Sequence, residues 1–259
     1  MSSFSSDSNR LPEPEGLKVY LQPRVVGMLF LGFSAGLPLL LVGGTFSAWL
    51  RDLGVELAAI GFLSWVGMAH SIKVLWAPLI DRLPVPLLTR LMGRRRSWML
   101  LAQLVIAGGL FGMAMTDPTQ QLELVAIWAV LVAFGSATQD VAIDAYRVEA
   151  EAKHRQAAMA ATYVTGYRVA ILAAGAGALH MAALDSWSLA YTGMAALMLV
   201  GVITTFCIAE PKVHITRDTL DQEERLTRFL GASRHKGMRL NLSSLFFSAF
   251  VAPFTEFFE

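Results

Sequence analysis

Between residues 25 and 209 one pattern recurs six times, a long apolar run closed by a short polar break. The runs fall at 25–50, 57–80, 98–115, 122–144, 162–184 and 188–209. A helix rises about 1.5 Å per residue, so about 20 apolar residues cover the hydrocarbon of a bilayer. None of the runs alternates apolar and polar positions as a strand would. Lipid also leaves no backbone group unpaired, and six such runs in one chain have no use in a soluble protein. The pattern predicts an all-α integral membrane protein with six spans. Residues 1–23 are expected to form a polar tail, 24–209 the six-span bundle and 210–240 a charged linker. Residues 241–259, apolar and aromatic but broken by Pro253, are expected to lie along the membrane surface as an amphipathic helix. The tail MSSFSSDSNRLPEPEGLK shows no signal-peptide core before residue 25, so the first run is expected to stay as a span.

Composition agrees: 55% of the 259 residues are hydrophobic, 16% are charged, and the mean hydropathy is +0.52. Soluble domains carry about 25% charged residues. The single cysteine, Cys207, lies in an apolar run and makes no disulfide framework, and the five histidines show no metal-ligand spacing. Neither a metal nor any cofactor is expected. Charge placement says more than the net charge of +1. The breaks 51–56, 116–121 and that at Asp185 hold one basic residue, Arg51. The breaks 81–97 and 145–161 hold Arg82, Arg90, Arg94, Arg95, Arg96, Arg147, Lys153 and Arg155. Every second connection is basic, which puts the N-terminus in the cytoplasm.

A few charges fall within the runs. Counted inward along the helix rise, Lys73, Asp140 and Arg168 share a level in the cytoplasmic half, with Gln103 near it. A charge at the helix centre costs about 2.5–3.5 kcal/mol, so these groups should face a polar path or one another. Asp140 and Asp144 are one turn apart beside Gln139 and need cations nearby, for which Lys73, Arg168 and Arg147 are available. Asp144 lies nearer the headgroups. Small residues at four-residue spacing, as in GFSAG (32–36), suit close helix packing. Gly36 and Pro38 are also expected to let the first span flex. The connection DRLPVPLLTRLMGRRRSW places Asp81 and Arg82 before Gly93, Arg94 and Arg95, a spacing that suits a latch between two helix ends. Arginines between two membrane helices are a poor site for nucleic acid, and none is expected as a partner.

These motifs together resemble a known family. GFSAGLPLLLVGGTFSAWL (32–50), IGFLSWVG (60–67), KVLWAPLIDR (73–82), GRRRSW (93–98), SATQDVAIDAY (136–146) and TGYRVA (165–170) look like the AmpG-type muropeptide permeases of the major facilitator superfamily. The related acetyl-CoA transporters share parts of the pattern. The resemblance implies the six-helix N-terminal bundle of such a transporter, with proton-driven import of GlcNAc-anhydroMurNAc-peptides across the bacterial inner membrane for cell-wall recycling. It places the family's loop motif on Asp81, Arg82, Gly93, Arg94 and Arg95, with Pro84 and Pro86 as departures. The span-four motif falls on Gln139, Asp140 and Asp144, and the span-five motif on Gly166, Tyr167 and Arg168. Lys73, Gln139, Asp140, Asp144, Tyr167, Arg168 and Gln103 are then the expected proton and cargo path. Asp140 is the first choice for the proton-responsive group. Family members have about twice as many spans, so a second six-helix half, in the same or another chain, is expected as a partner beside lipid, cargo and protons. The alternatives are an acetyl-CoA or other anionic-metabolite transporter, or a non-transporting half acting as a regulatory partner. An enzyme would need a nucleophile–base or metal cluster at one depth, and the sequence shows none.

The charge pattern makes orientation testable. Reporter fusions after Asp117 and after Arg90 should read external and cytoplasmic respectively; the reverse assignment would overturn the orientation.

Overall fold

The computed structural model describes residues 16–151 and 153–211, so the expected linker and surface helix lie outside the described residues apart from Glu210 and Pro211. Six helices are long and apolar enough to cross a membrane: α1 (Pro23–Asp52), α2 (Leu57–Leu75), α3 (Arg94–Met115), α4 (Leu122–Ala150), α5 (Gln156–Leu184) and α6 (Trp187–Cys207). No strand occurs among the described residues. Three helices outrun their apolar runs: α3 starts at Arg94, α4 reaches Ala150 and α5 starts at Gln156. A helix satisfies its own backbone and needs hydrocarbon only over its middle, so charged turns extend it into water.

The second run behaves differently. Its helix ends at Leu75 rather than at residue 80, and the stretches Ser64–Met68 and Lys73–Leu75 are wound as tighter 3-10 turns. A separate short helix, Ala77–Arg82, follows with Pro78 in its first turn. Proline has no N–H to donate and clashes with the carbonyl four residues earlier, so the ladder breaks there. Lys73 therefore sits on an irregular turn just before a break.

Burial ranks the helices. In the most apolar window of α1, 67% of the residues are buried, against 11% in α2 and 17% in α5. α1 runs through the middle, against α5 on one side and α4 and α6 on the others, while α3 packs on α4 and α6. α2 leans mainly on α4. The interior forms two clusters, one around Trp49, Ile106 and Tyr191, the other around Met28, Tyr146 and Met159.

Glycines set the α1–α5 contact. A Cβ on Gly32 would collide with the Tyr163 carbonyl, and one on Gly166 with the Leu29 carbonyl. On Gly36 it would stand 2.6 Å from the Tyr167 carbonyl oxygen. The two backbones touch, as the GFSAG spacing predicts. Gly36 is thus a contact residue. The helix also continues through Pro38 to Leu41 and breaks only at Gly43, so the interruption lies beyond the expected Gly36–Pro38 site. The groups freed at such breaks find partners: Tyr191 donates its hydroxyl to the Leu41 carbonyl, and Thr45 donates to the Ala174 carbonyl in the π-wound Ala173–Gly177 turn, each at 2.8 Å.

Gly32→Ala or Gly166→Ala should lower the thermal midpoint in detergent, by the equivalent of about 1–3 kcal/mol for overpacking. Gly61→Ala, where a Cβ meets nothing within 4 Å, should leave the midpoint unchanged. Equal midpoints in all three would refute the close-contact account.

Candidate transport site

Ser136 and Asp140 lie one turn apart on α4, and His70 and Lys73 one turn apart on α2, so two polar faces meet. Lys73 Nζ stands 3.5 Å from Asp140 Oδ2, and His70 Nε2 stands 3.9 Å from the same oxygen and 3.1 Å from Ser136 Oγ. The Asp140 side chain is only 14% exposed and Lys73 31%. Two charges out of water repay their desolvation only when close and further hydrogen-bonded. Here the balance is incomplete, because Asp140 Oδ1 is buried without a hydrogen-bond partner.

Gln139 and Gln103 point elsewhere. Gln139 is fully buried and donates Nε2–H to Ser34 Oγ of α1 at 2.8 Å, and Ser34 donates onward to the Leu31 carbonyl at 2.9 Å. Gln103, also fully buried, accepts from Thr205 Oγ1 of α6 at 3.0 Å. The two pairs meet at Gly201, where a Cβ would stand 2.5 Å from Ser34 Cβ and 2.9 Å from Gln103 Nε2. Both amides sit in helix interfaces, where Gln139 Oε1 and Gln103 Nε2 are buried without a hydrogen-bond partner among the described residues. Depth along a helix can be counted from the sequence, but which side of the helix a residue faces cannot.

Two further charges sit apart from this pair. Arg168 is exposed on α5 and makes no ion pair among the described residues. Asp144 is 53% exposed and pairs with Arg147 of its own helix at 3.4 Å, in keeping with its place nearer the headgroups. The expected cluster of charges thus reduces to Lys73 and Asp140, with His70 and Ser136 beside them. Tyr167 is half-buried, its ring tilted against that of Tyr163.

The connection between α2 and α3 does form a clamp. Arg95, 6% exposed, holds Asp81 at the end of the α2 run with one amino group, and its other nitrogens hold Glu149 near the end of α4. Three arginines open α3, where the helix dipole disfavours positive charge. The Glu210 carboxylate offsets this by accepting from the backbone N–H groups of Arg95 at 2.8 Å and Arg96 at 3.1 Å. Gly93, at φ +89°, is required there, because the Glu210 side chain occupies the space of a Cβ. Arg96 donates to the carbonyls of Thr205 and Phe206, capping α6. Arg94 takes no part in these bonds, and the Arg82 side chain lies outside the described residues. After Pro84 and Pro86 the chain turns through Leu87, a non-glycine residue in the left-handed region at φ 67°. Glu149 and Glu210 were not legible as latch residues. Their one signal is an acidic residue at the end of a run whose far end faces arginines.

Six helices able to cross a membrane, an ion pair on the flank where α2 leans on α4 and a charged clamp across the helix ends define a multi-pass membrane bundle. The chain belongs to the Major Facilitator Superfamily, whose family model matches residues 13–258. It is similar to the anhydromuropeptide permease of Escherichia coli strain K12, 40% identical over 199 residues that cover 75% of this chain and 39% of that protein. It is also similar to a Rickettsia conorii protein named putative transporter AmpG 4, 31% identical over 198 residues, 76% of this chain and 48% of that one. A Rickettsia prowazekii protein named putative transporter AmpG 3 is 30% identical over 202 residues, again 48% of its length. The chain spans about two-fifths to half the length of these curated relatives.

Arg95→Ala should cost about 2 kcal/mol of stability. That is below the 3–5 kcal/mol for breaking a fully buried pair, because Asp81 and Glu149 keep some water. Arg94→Ala should cost under about 0.5 kcal/mol, as surface changes do. Thermal midpoints that fall equally in both variants would dissolve the clamp.

Proposed function

We propose that this bundle forms one wall of a proton-driven permease that imports anhydro-muropeptides across the bacterial inner membrane, with its clamp end in the cytoplasm. The observation that carries the proposal is the Lys73–Asp140 pair, set on the lightly buried flank where α2 leans on α4. The similarity to an anhydromuropeptide permease supports the cargo. Asp140 is the proton-responsive group in this reading. A proton on Asp140 removes the charge that holds Lys73, and α2, which has few other contacts, is then free to shift against α4. Lys73 so released, together with the exposed Arg168, offers cations to the cargo's carboxylates. A second six-helix bundle, in the same or another chain, supplies the opposite wall, and the two rock about a site between them. The partial coverage of the relatives and the exposed Arg168 of α5 support that partner.

Membrane vesicles containing this bundle with its partner half should accumulate labelled anhydro-muropeptide, and a protonophore should abolish accumulation. Asp140→Asn should abolish proton-coupled uptake while leaving insertion intact. Asp144→Asn should do less, because water already reaches that carboxylate. Uptake near the wild-type level in both variants would overturn the role of Asp140, and vesicles that take up acetyl-CoA but no muropeptide would overturn the cargo.

A further inference from the structure

Between the first turns of α1 and the last turns of α6 runs an open groove of about 900 Å³. Its walls are apolar, with Val26 and Phe30 from α1 and Val200 and Ile203 from α6. From Pro23 to Phe30 it follows α1 for about 10 Å, a reach within the hydrocarbon of one leaflet. Phe30 and Ile203 are exposed, so the groove opens sideways from the bundle. Its mouth is charged. Arg24 and Glu151 line it, and Glu151 accepts from Arg24 Nη1 at 3.3 Å and from Arg155 Nη1 at 3.0 Å. One carboxylate thus serves two guanidiniums, and the three side chains carry one net positive charge. Arg24 Nη1 also donates to the Ala150 carbonyl. The opposite edge of that guanidinium, Nε with Nη2, bonds no described residue, and the side chain is 33% exposed. Just before α1, the 3-10 turn Gly16–Leu21 carries Lys18 between Leu17 and Leu21, both largely exposed. A basic side chain between exposed leucines suits the boundary between headgroups and hydrocarbon.

We infer that this groove seats an anionic phospholipid, with an acyl chain between α1 and α6 and the phosphate on the free edge of Arg24. The site is separate from the Lys73–Asp140 pair and does not depend on the cargo. Depth and charge together select the occupant. A sideways groove at this level of two spanning helices meets lipid tails, and its mouth lies at the level where headgroups sit. The Nε–Nη2 edge of a guanidinium is a fork that takes two phosphate oxygens at once. Glu151 and the Ala150 carbonyl hold Nη1 and so keep that fork in one place. A zwitterionic lipid would bring its own cation beside Arg24, Arg155 and Lys18, whereas an anionic lipid brings none. The net positive mouth therefore favours the anionic one.

The test uses the 259-residue chain in phosphatidylcholine nanodiscs, with a bimane label on Cys207. Cys207 is the single cysteine of the chain, is exposed and lines the groove, so the label needs no added residue. Phosphatidylglycerol with brominated acyl chains should quench the label at about one-fifth of the mole fraction that brominated phosphatidylcholine needs. Arg24→Gln should abolish that preference, and Arg24→Lys should keep part of it, since lysine retains the charge without the fork. Arg24 also ties the end of α4, so a second variant leaves it untouched. Val26→Phe with Val200→Phe narrows the groove from both walls and should weaken quenching by both lipids. Equal quenching by the two lipids in the wild type, a preference that survives Arg24→Gln, or quenching unchanged by the phenylalanine pair would overturn the site. So would a label that iodide reaches from water, or one that neither iodide nor bromine reaches because other residues of the chain cover it.

Discussion

The contact of the α1 and α5 backbones at Gly32, Gly36 and Gly166 is the constraint from which the rest of the bundle follows. Lipid gives two helices no hydrophobic reason to associate, so what holds them is dispersion between surfaces close enough to touch. Side chains at these positions would hold the axes apart. With them gone, α1 becomes the central helix, and one of its turns serves two neighbours. Gly32 and Gly36 face α5, while Ser34, two residues on and so on the far side of a 3.6-residue turn, reaches Gln139 of α4.

Polar groups in the interior divide into two kinds. Ser34, Gln139, Gln103 and Thr205 are buried and neutral, and they link α1 to α4 and α3 to α6 without a charge in hydrocarbon. Lys73 and Asp140 are charged and keep some exposure. A neutral pair is indifferent to protons near neutrality, whereas an ion pair vanishes when one partner is neutralised. The bundle thus places its neutral bonds in buried interfaces, and its ion pair on α2, the helix with the least burial and the most irregular winding.

The clamp solves an electrostatic problem that the arginines create. Positive charges at the start of α3 oppose the helix dipole, and the carboxylates of Asp81, Glu149 and Glu210 arrive from three other segments to neutralise them. Because those carboxylates come from the ends of the α2 run, α4 and α6, neutralisation also ties those ends to α3. In the proposed carrier this end faces the cytoplasm, where such ties hold one side of the path closed.

The sequence by itself determined the six spans, the all-α class and the alternation of basic connections. Hydrocarbon thickness and the absence of water act on local composition, and local composition is written in the chain. GFSAG likewise announced a close helix contact, and the depths of Lys73 and Asp140 announced that they share a level. The tertiary structure alone decided which way each polar residue faces. Gln103 and Arg168 lie near the level of Asp140, yet one turns into the α3–α6 interface and the other outward. It alone brought Glu149 to Arg95 across 54 residues and Glu210 to the same turn across 115. Depth adds up residue by residue along one helix, whereas facing depends on how separate helices rotate and pack against each other.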